Sequence, residues 1–542
     1  MFPNRNAPIE FMIPGFGLRR NGRTAYNSAF ASLLDNTCKD ARGGEPILFT
    51  ETESGTARAR LSGGAFGAWQ FSRRERGWLA VAFGLVLAFG ANVEQRTALR
   101  RTPMTDLGVF ACAAGAVESG ANLYTVCDWH GWHYVYPPAL AILFVPLQHP
   151  APIAPVAVRG VARTAANTPW GYGIDSHARF YGLDRQNIRF FCIVAAWYFI
   201  SVTLIGFSAH ALACALEGRG FKEPPPIGRR ERRRWWALRA FPLLICAGSL
   251  LTDLSRGQTD VLMLAAMSFG LYLAAAGRMF KAGLWLSWPA ALKLFPGILL
   301  IYPIWRRRWR MAAGVMAGLV LTLAILPGAT MGPTRSIALY KDWIQVLVKP
   351  ALGQGKDVSL VHELTGMEST DNQSLLAFIH NWRYHNLARS QRPPTAAAVE
   401  RYAVYAIGAI LLAGAGWVFG VRRDDSPEDL LIIAGMLMGL ALTINPVSHN
   451  YYFLLLLPLV AALLHRSLKD GADSKLLIVL AIFAATDLAA RLPGIGPWLR
   501  DDGLPLLSMI WMLGAGAAVL LGRKASSEIP IAVPQNIPEF AK

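Results

Sequence analysis

Charge is scarce in this chain, and negative charge is scarcer than positive charge. Of its 542 residues only 16% are charged, against about 25% in soluble globular proteins, while 53% are hydrophobic and the mean hydropathy is +0.33. This composition excludes a disordered chain and argues against a cytosolic enzyme. The 53 basic residues exceed the 35 acidic ones by 18. Nucleic-acid-binding proteins share that excess but are not usually so apolar, so the sequence indicates a polytopic membrane protein without a nucleic-acid partner.

Several motifs that mark soluble catalytic sites are also missing. The six cysteines form no CxxC pair and no cluster with histidine at metal-ligand spacing. There is no glycine-rich phosphate loop, no Ser/His/Asp array and no DxD motif, since Asp501-Asp502 lies in an outer turn that we interpret as unrelated. We therefore expect neither a metal nor a cofactor. Cys112 and Cys127 share one segment and would be able to pair if it faces an oxidising compartment.

The chain divides into three regions by composition. Residues 1–70 are polar and rich in Gly, Ser and Arg, without a long apolar run or a signal-peptide core. Two interpretations are open for this region, a weakly ordered cytoplasmic tail or a translation start placed too far upstream. Residues 71–524 form the predicted membrane domain, and residues 525–542 form a C-terminal tail.

Long apolar runs dominate the membrane domain. A membrane-spanning helix needs about 17–25 apolar residues, and somewhat shorter runs are tolerated. The candidate spans are 77–92, 191–216, 237–252, 260–276, 311–327, 402–420, 430–447, 451–465, 475–490 and 504–522. Together with two proline-broken stretches, they predict an all-α bundle of about 10–13 membrane segments, some of them broken or re-entrant.

The two broken stretches, 136–158 and 282–304, are interrupted by prolines. Proline breaks helices, so each stretch either crosses in broken form or enters and leaves on one side. If both cross fully, the arginine cluster at 229–234 falls outside, against the positive-inside rule. If both are re-entrant hairpins, this cluster and those at 73–76 and 306–310 all lie inside, which favours hairpins. The outward segments are then 93–135, 253–259, 328–401 and 445–450.

An acidic residue lies near the start of the helical part of the first outward segment. Asp106 precedes a small-residue stretch that is too short to cross, so we expect a short helix along the membrane surface. A helix N-terminus favours negative charge, which leaves two interpretations open. Asp106 is either a catalytic carboxylate or a helix cap at the solvated interface. Glu118 and Asp128 lie in the same segment, so a second acid also stays open.

Four motifs follow one another along the membrane domain. They are Asp106 with Gly120 to Tyr124 and Tyr136-Pro137-Pro138; Gly257-Gln258-Thr259-Asp260 with Lys293 and a basic WR run; Asn372-Gln373-Ser374; and Asn445-Pro446-Val447-Ser448-His449. In this order they resemble the polyprenyl-phosphate-dependent glycosyltransferases of the GT-C superfamily, most closely glycosyltransferase family 87. The resemblance covers roughly residues 77–522 and implies a GT-C-like helical bundle.

The chain departs from the family pattern at two places. Asp260 stands where the family usually has Asn. The run from His449 to Tyr452 stands where many members carry Trp followed by two His. Both departures leave the expected fold intact and bear on the identity of the sugar and the acceptor.

The resemblance implies an activity and a mechanism. It implies a multi-pass enzyme of the plasma (inner) membrane that moves a sugar, with mannose expected, from a polyprenyl-phosphate donor to a hydroxyl of a glycolipid or glycan at the outer face. Asp106 would be the general base of a single displacement that turns a β-linked donor into an α-linked product. A related arabinofuranosyl transfer stays open. So does a transporter or flippase of lipid-linked sugars, although transporters are expected to show internal repeats and none is apparent.

Two basic residues are candidates for binding the donor phosphate. Lys293 is the lone charge in its apolar stretch, so it is either functional or a lysine that extends to the interface. With about 1.5 Å of rise per residue, a helix from 282 ends near mid-membrane at Lys293, which disfavours the interfacial alternative. Arg256 either contacts the phosphate or pairs with Asp260, and the pairing is slightly favoured.

The remaining predicted substrate-binding residues, all in outward segments or directly next to one, are Tyr124, Tyr136, Gln258, Asn372, Gln373, Ser374 and His449. The tyrosines belong to an aromatic run that lies at the membrane interface, stacks on a sugar, or does both. The Asn-Gln-Ser motif either binds substrate or forms a capping and turn cluster. The histidine either contacts substrate or makes an interfacial hydrogen bond.

Overall fold

The computed structural model describes residues 71–99, 105–128, 132–148, 185–349, 367, 369–420, 426–469 and 473–522. This part of the chain is predominantly helical, which confirms the predicted all-α class. The two predicted tails, 1–70 and 525–542, lie outside the described residues, and so does 149–184. The predicted hairpin at 136–158 is therefore described only as far as Gln148.

The helices are numbered here in chain order. The first group is α1 (Arg73–Arg96), α2 (Leu107–Ser119), α3 (Pro138–Gln148), α4 (Arg185–Glu217), α5 (Arg229–Ile245), α6 (Ala247–Arg256), α7 (Asp260–Ala275), α8 (Met279–Leu292), α9 (Ile301–Trp305), α10 (Trp309–Leu319), α11 (Leu326–Met331) and α12 (Pro333–Trp343). The second group is α13 (Leu375–Arg383), α14 (Ala398–Gly420), α15 (Pro427–Ile444), α16 (Leu457–Lys469), α17 (Ser474–Ala489), α18 (Ile495–Asp501) and α19 (Leu504–Gly522). Short 3₁₀ or π segments lie at Leu123–Thr125, Phe295–Leu300, Val320–Ile325, Ile344–Val348, Arg389–Gln391 and Asn450–Leu456.

Seven helical segments of the described chain are long and apolar enough to cross a membrane, or eight if the bent pair α5 and α6 is one span. The seven are α1, α4, α10 with α11, α14, α15, α16 with the turn before it, and α19. The bent pair turns by 67° next to Cys246, inside the predicted span 237–252. The predicted spans 260–276 and 475–490 fall on α7 and α17, which have only 16 residues each. The chain is a multi-pass membrane protein.

The proline-broken stretch 282–304 leaves and returns to one end of the bundle. Helices α8 and α10 begin side by side. Their backbones are so close that a Cβ on Gly283 would lie only 2.0 Å from the Met311 carbonyl oxygen. Arg308, just before α10, donates a hydrogen bond to the sulfur of Met279 at 3.4 Å. The chain between the two helices must therefore turn back, and it does so at Lys293 and Leu294, where α8 ends. This turn agrees with the hairpin interpretation of 282–304, and the placement of the hairpin in the membrane stays a prediction.

Two of the predicted basic clusters, at 73–76 and 229–234, meet at one end of the bundle, which we call the basic end. Arg232 forms an ion pair with Glu75 at 2.5 Å, and Arg234 contacts His465 at 3.0 Å. His465 in turn lies 3.2 Å from Glu428. These contacts bring together the starts of α1, α5 and α15 and the end of α16. The positive-inside rule, applied to the arginine clusters, predicts that these helix ends lie on the same side of the membrane. The side of the membrane that this end faces stays a prediction.

The outward segments meet at the opposite end, which we call the site end. Residues 107–117 of α2 are buried, so protein covers most of the helix that was expected to lie along the membrane surface. The loops after α1, α6, α12 and α15 are joined here by the contacts described below. Cys112 and Cys127 are both free and buried, so the disulfide considered from the sequence is absent.

Candidate active site

Asp106 stands at the N-terminus of α2 but does not cap it with its side chain. Its carboxylate instead accepts a hydrogen bond from Gln258 Nε2, and its backbone N–H donates to the Arg256 carbonyl at 2.9 Å. Burial raises the pKa of Asp106, and the Arg256 guanidinium opposes that rise. A raised pKa makes a carboxylate a stronger proton acceptor. Asp106 is therefore not a side-chain helix cap. It is a partly exposed carboxylate that a neighbouring turn holds in place.

A glycine shapes the turn that holds Asp106. Gly257 has φ of +64°, a left-handed conformation that favours glycine, and a Cβ there would lie 2.9 Å from Thr105 Oγ1. Thr105 Oγ1 donates to the Arg256 carbonyl at 2.8 Å, which ties the start of α2 to the end of α6. Helix α6 thus ends and α7 begins within a short turn that carries both Arg256 and Gln258.

Arg256 pairs with Asp371 and not with Asp260. The Arg256 guanidinium lies 2.6 Å from one Asp371 oxygen, and the Arg500 guanidinium lies 3.5 Å from the other. Burial alone would raise the pKa of Asp371, but these guanidiniums lower it below the usual value. The predicted pairing with Asp260 is wrong because Arg256 ends one helix and turns toward the loop that carries Asp371, whereas Asp260 begins the next helix and meets Lys293.

Lys293 forms a buried ion pair at the tip of the hairpin. Its ammonium lies 2.8 Å from Asp260, and the two side chains are 3% and 0% exposed. The rings of Tyr452 and Tyr136 lie 4.5 Å and 5.2 Å from the ammonium and add cation–π attraction. Lys293 therefore does not extend to an interface. The Asp260 carboxylate neutralises it.

The Asn-Gln-Ser motif joins two outward loops. Ser374 caps α13, and the Asn372 side chain accepts the backbone N–H of Ser448 at 3.0 Å. Gln373 donates from its side chain to the Arg500 carbonyl at 2.8 Å. Because all three motif side chains are buried in these contacts, the structure favours the capping and turn interpretation. The motif orders the loops that carry Asp371 and the histidine of the fourth motif.

His449 lies against the aromatic ring of Tyr451 at the site end. Its ring stacks on Tyr451, with centroids 5.1 Å apart and planes 13° apart. Burial, and next the Arg256 guanidinium, lower the pKa of His449 to about 3. The imidazole is therefore neutral at ordinary pH, so it presents an aromatic face and a polar edge and carries no positive charge.

The aromatic run of the first outward segment is split between packing and the site. Tyr124 is buried and donates its hydroxyl to the Tyr136 carbonyl at 3.1 Å, so it supports the backbone of its neighbour. Tyr136 packs on Phe110 at 5.7 Å between ring centroids. The buried Asp128 accepts the backbone N–H of Trp132 at 3.0 Å and so shapes a turn.

Two cavities lie side by side at the site end. The arginine cavity has a volume of about 510 Å³ and is lined by Phe89, Arg96, Thr105, Asp106, Trp132, Leu251, Thr252, Ser255, Arg256, Asp371, Leu488, Arg491 and Arg500. The aromatic cavity has a volume of about 260 Å³ and is lined by Asp106, Val109, Phe110, Trp132, His133, Val135, Tyr136, Arg256, Gln258, Ser369, Asp371, His449 and Tyr451. Lys293 is not among the described residues that line either cavity. Four residues line both cavities, so the two adjoin there: Asp106, Trp132, Arg256 and Asp371.

The comparison with protein families decides the class of the enzyme. The sequence matches the family model described as Glycosyltransferase family 87 over residues 134–446, which is more than half of the chain. The chain belongs to glycosyltransferase family 87. This family 87 protein is therefore a membrane glycosyltransferase. No curated protein and no solved structure matches it. The matched region contains Arg256 and Lys293, while Asp106 lies before its start and His449 lies after its end.

Sequence reasoning missed three charged residues of the candidate site in this family 87 protein, namely Asp371, Arg491 and Arg500. Asp371 directly precedes the Asn-Gln-Ser motif. The two arginines lie in the segment after α17 that contains Asp501, whose turn was taken to be unrelated to the site. A signal was present, because arginines in an outward segment run against the positive-inside bias and need another reason to be there. No group of three or more His, Cys, Asp or Glu side chains in the described chain is placed to hold a metal.

Proposed function

We propose that this family 87 enzyme transfers a sugar, with mannose expected, from a polyprenyl-phosphate donor to a hydroxyl of a glycolipid or glycan at the outer face of the plasma membrane. One observation carries the proposal. Asp106 lies where a cavity rich in guanidiniums meets a cavity rich in aromatic rings. Guanidiniums bind phosphate, and aromatic faces pack on sugars, so a base at the junction would sit beside the reacting carbon.

The proposed step is a single displacement at the anomeric carbon. The acceptor oxygen forms a bond to that carbon while the bond from carbon to the donor phosphate oxygen breaks. Asp106 takes the acceptor proton, and the departing polyprenyl phosphate gains one negative charge. Positively charged groups that face the departing phosphate stabilise that charge as it develops. Attack from the face opposite the phosphate turns a β-linked donor into an α-linked product.

Gln258 is a positioning residue in this scheme. Its side-chain amide donates to the Asp106 carboxylate, and the same turn places Arg256 beside Asp106. The amide limits the rotation of the carboxylate, so one oxygen stays available for the acceptor hydroxyl. Proton transfer requires such alignment within hydrogen-bond distance.

A transfer assay in membranes tests the proposal. Membranes that contain the wild-type chain or the Asp106→Asn variant are given radiolabelled polyprenyl-phosphate mannose, and labelled lipid and glycan products are separated. Loss of a general base lowers the rate about 10²- to 10⁴-fold, so we expect product from the wild type only. Asp502→Asn is the matched control, because it changes an exposed carboxylate at the same end of the molecule.

The outcomes separate the alternatives. Transfer from a polyprenyl-phosphate arabinofuranose donor, with none from the mannose donor, would replace mannose by arabinofuranose and keep the mechanism. Full transfer activity in Asp106→Asn would remove Asp106 as the base. Movement of labelled donor across the membrane without any product would favour a transporter of lipid-linked sugars over a transferase.

A further inference from the structure

We propose that Arg491 and Arg500, together with Arg256, bind the phosphate of the lipid-linked donor, and that the donor's lipid chain leaves this site between α1, α6 and α17. This inference rests on the proposed function, since it assigns the donor phosphate to particular side chains. Arg491 and Arg500 lie beyond residue 446, where the match to the family ends. They were also not among the candidates that the sequence motifs suggested.

The arginine cavity has more positive than negative charge. Its described lining contains four arginines, with Arg96 the fourth, and two aspartates, Asp106 and Asp371. Among these groups Asp371 is shared by Arg256 and Arg500. A cavity with this surplus attracts an anion. A sugar phosphodiester with one negative charge fits that surplus, and the phosphate monoester that leaves after transfer fits it better.

Arg491 is held from one side and keeps donors for a ligand. Its guanidinium donates to the Asn450 side chain at 2.8 Å and lies 3.7 Å from Asp487. Asp487 is itself fixed by Ser249, whose hydroxyl donates to it at 2.6 Å. Two nitrogens of Arg491, Nε and the Nη2 that faces Asp487, are buried and have no hydrogen-bond partner in the described chain. Buried donors without partners are costly, so a ligand that accepts from them is favoured.

Arg500 shows the same arrangement. Its guanidinium donates to the Ala490 carbonyl at 2.7 Å and to the Thr370 hydroxyl at 3.3 Å, which fix its position. Its Nε, which lies 3.5 Å from Asp371, is buried without a hydrogen-bond partner among the described residues. Burial and the neighbouring guanidiniums lower the pKa of Arg491 to about 10, and burial lowers that of Arg500 as well. Both side chains stay protonated at neutral pH, in a place where the charged form is disfavoured until an anion arrives.

The apolar part of the same cavity indicates where the lipid lies. Phe89 on α1, Leu251 on α6 and Leu488 on α17 line the cavity together with the arginines. Leu251 and Leu488 are 37% and 49% exposed, and α1 buries only 11% of its apolar window. Apolar side chains that are exposed on membrane helices face lipid. The arginine cavity therefore opens to the bilayer on the side where a polyprenyl chain would enter.

Binding of a polyprenyl phosphate without sugar tests this assignment apart from the chemistry. Purified full-length protein in detergent is titrated with the radiolabelled lipid phosphate. Arg491→Gln and Arg500→Gln are each expected to weaken binding about 10- to 100-fold, the effect of losing a hydrogen bond to a charged group. Arg491→Lys and Arg500→Lys keep the charge and are expected to lose less. Arg401→Gln, an exposed arginine at the same end, is the control and is expected to bind as the wild type does.

The outcomes distinguish this inference from the proposed function. Asp106→Asn is expected to bind the lipid phosphate as the wild type does, so retained binding with lost transfer supports both. Retained transfer in Asp106→Asn with lost binding in the arginine variants contradicts only the role of Asp106. Unchanged binding in folded Arg491→Gln and Arg500→Gln, judged by wild-type thermal unfolding, overturns the phosphate assignment. Tight binding of a polyprenyl alcohol in place of the phosphate would overturn it as well.

Discussion

Two groups of buried cations at the site end make a useful comparison. Lys293 is neutralised by Asp260 and covered by tyrosine rings, and it lines no cavity in the described structure. Arg491 and Arg500 are also largely buried, but their guanidiniums line an open cavity and keep donors without partners. The Lys293–Asp260 pair holds the hairpin tip against α7, whereas the two arginines are available to a ligand.

The difference shows what a charge in an apolar segment indicates. A lone lysine in a hydrophobic run has to be neutralised, and a nearby carboxylate does this without any ligand. A ligand site needs donors that the protein leaves unused and a space beside them. Lys293 meets the first requirement and the arginines meet the second, although only the lysine stands out in the sequence.

The largest expected effect is on stability, when the lysine pair is broken. Lys293→Met leaves the Asp260 carboxylate buried without its cation, and breaking a buried pair in this way costs about 3–5 kcal/mol. We expect a large drop in the thermal unfolding temperature in detergent and poor accumulation in membranes. Lys341→Met, an exposed lysine at the same end, is the control and is expected to change stability by less than about 1 kcal/mol.

A double variant sharpens this result. Replacing Lys293 by Met together with Asp260 by Leu removes both charges, so most of the lost stability is expected to return. A Lys293→Met protein with wild-type stability that no longer binds polyprenyl phosphate would break the comparison. It would place the lysine in the donor site after all.

A smaller effect is expected on the acid side of the pH–rate profile. Asp106 must be ionised to accept a proton, and burial raises its pKa, so transfer is lost on acidification above the pH at which an exposed aspartate protonates. The Gln258 amide stabilises the ionised form, so Gln258→Leu is expected to raise that pKa further and to move the acid limb to higher pH. The measurement is the transfer rate against pH at saturating donor. An acid limb that moves to lower pH would contradict the role of Gln258.

The smallest effect is expected at His449. Its pKa of about 3 keeps the imidazole neutral, so His449→Asn is expected to leave the shape of the pH–rate profile unchanged. His449 lines the aromatic cavity, so losing its ring face is expected to cost about 0.5–1.5 kcal/mol of packing on the acceptor and to raise the acceptor KM about 2- to 12-fold. A change in the acid limb near pH 6 would show that His449 titrates in the functional range and would contradict this account.

Much of the fold follows from local features of the sequence. Apolar run length predicted most of the spans, because each helix satisfies its own backbone hydrogen bonds in lipid. The positions of the arginine clusters favoured a hairpin at 282–304, and the adjacent starts of α8 and α10 show that the chain does turn back there. The small-residue helix after Asp106 was also predicted, although its burial by protein was not.

The candidate site was harder to predict from the sequence than the fold, because its contacts join residues that are far apart in the chain. Arg256 was expected to pair four residues away, but its partner Asp371 lies in another loop. Arg491 and Arg500 reach the site only through the packing of α17 and the loop after it. No local period or spacing encodes such pairs. The Asn-Gln-Ser motif was visible, but only the structure shows that it orders loops.

The anomeric configuration of the product tests the central claim most directly. Asp106 and Asp371 both line the junction of the two cavities, but Asp371 is held by two guanidiniums. A single displacement with Asp106 as base predicts that a β-linked polyprenyl-phosphate mannose gives an α-linked product, which NMR of the isolated product identifies. A β-linked product would mean two displacements through a covalent intermediate, and it would contradict the account.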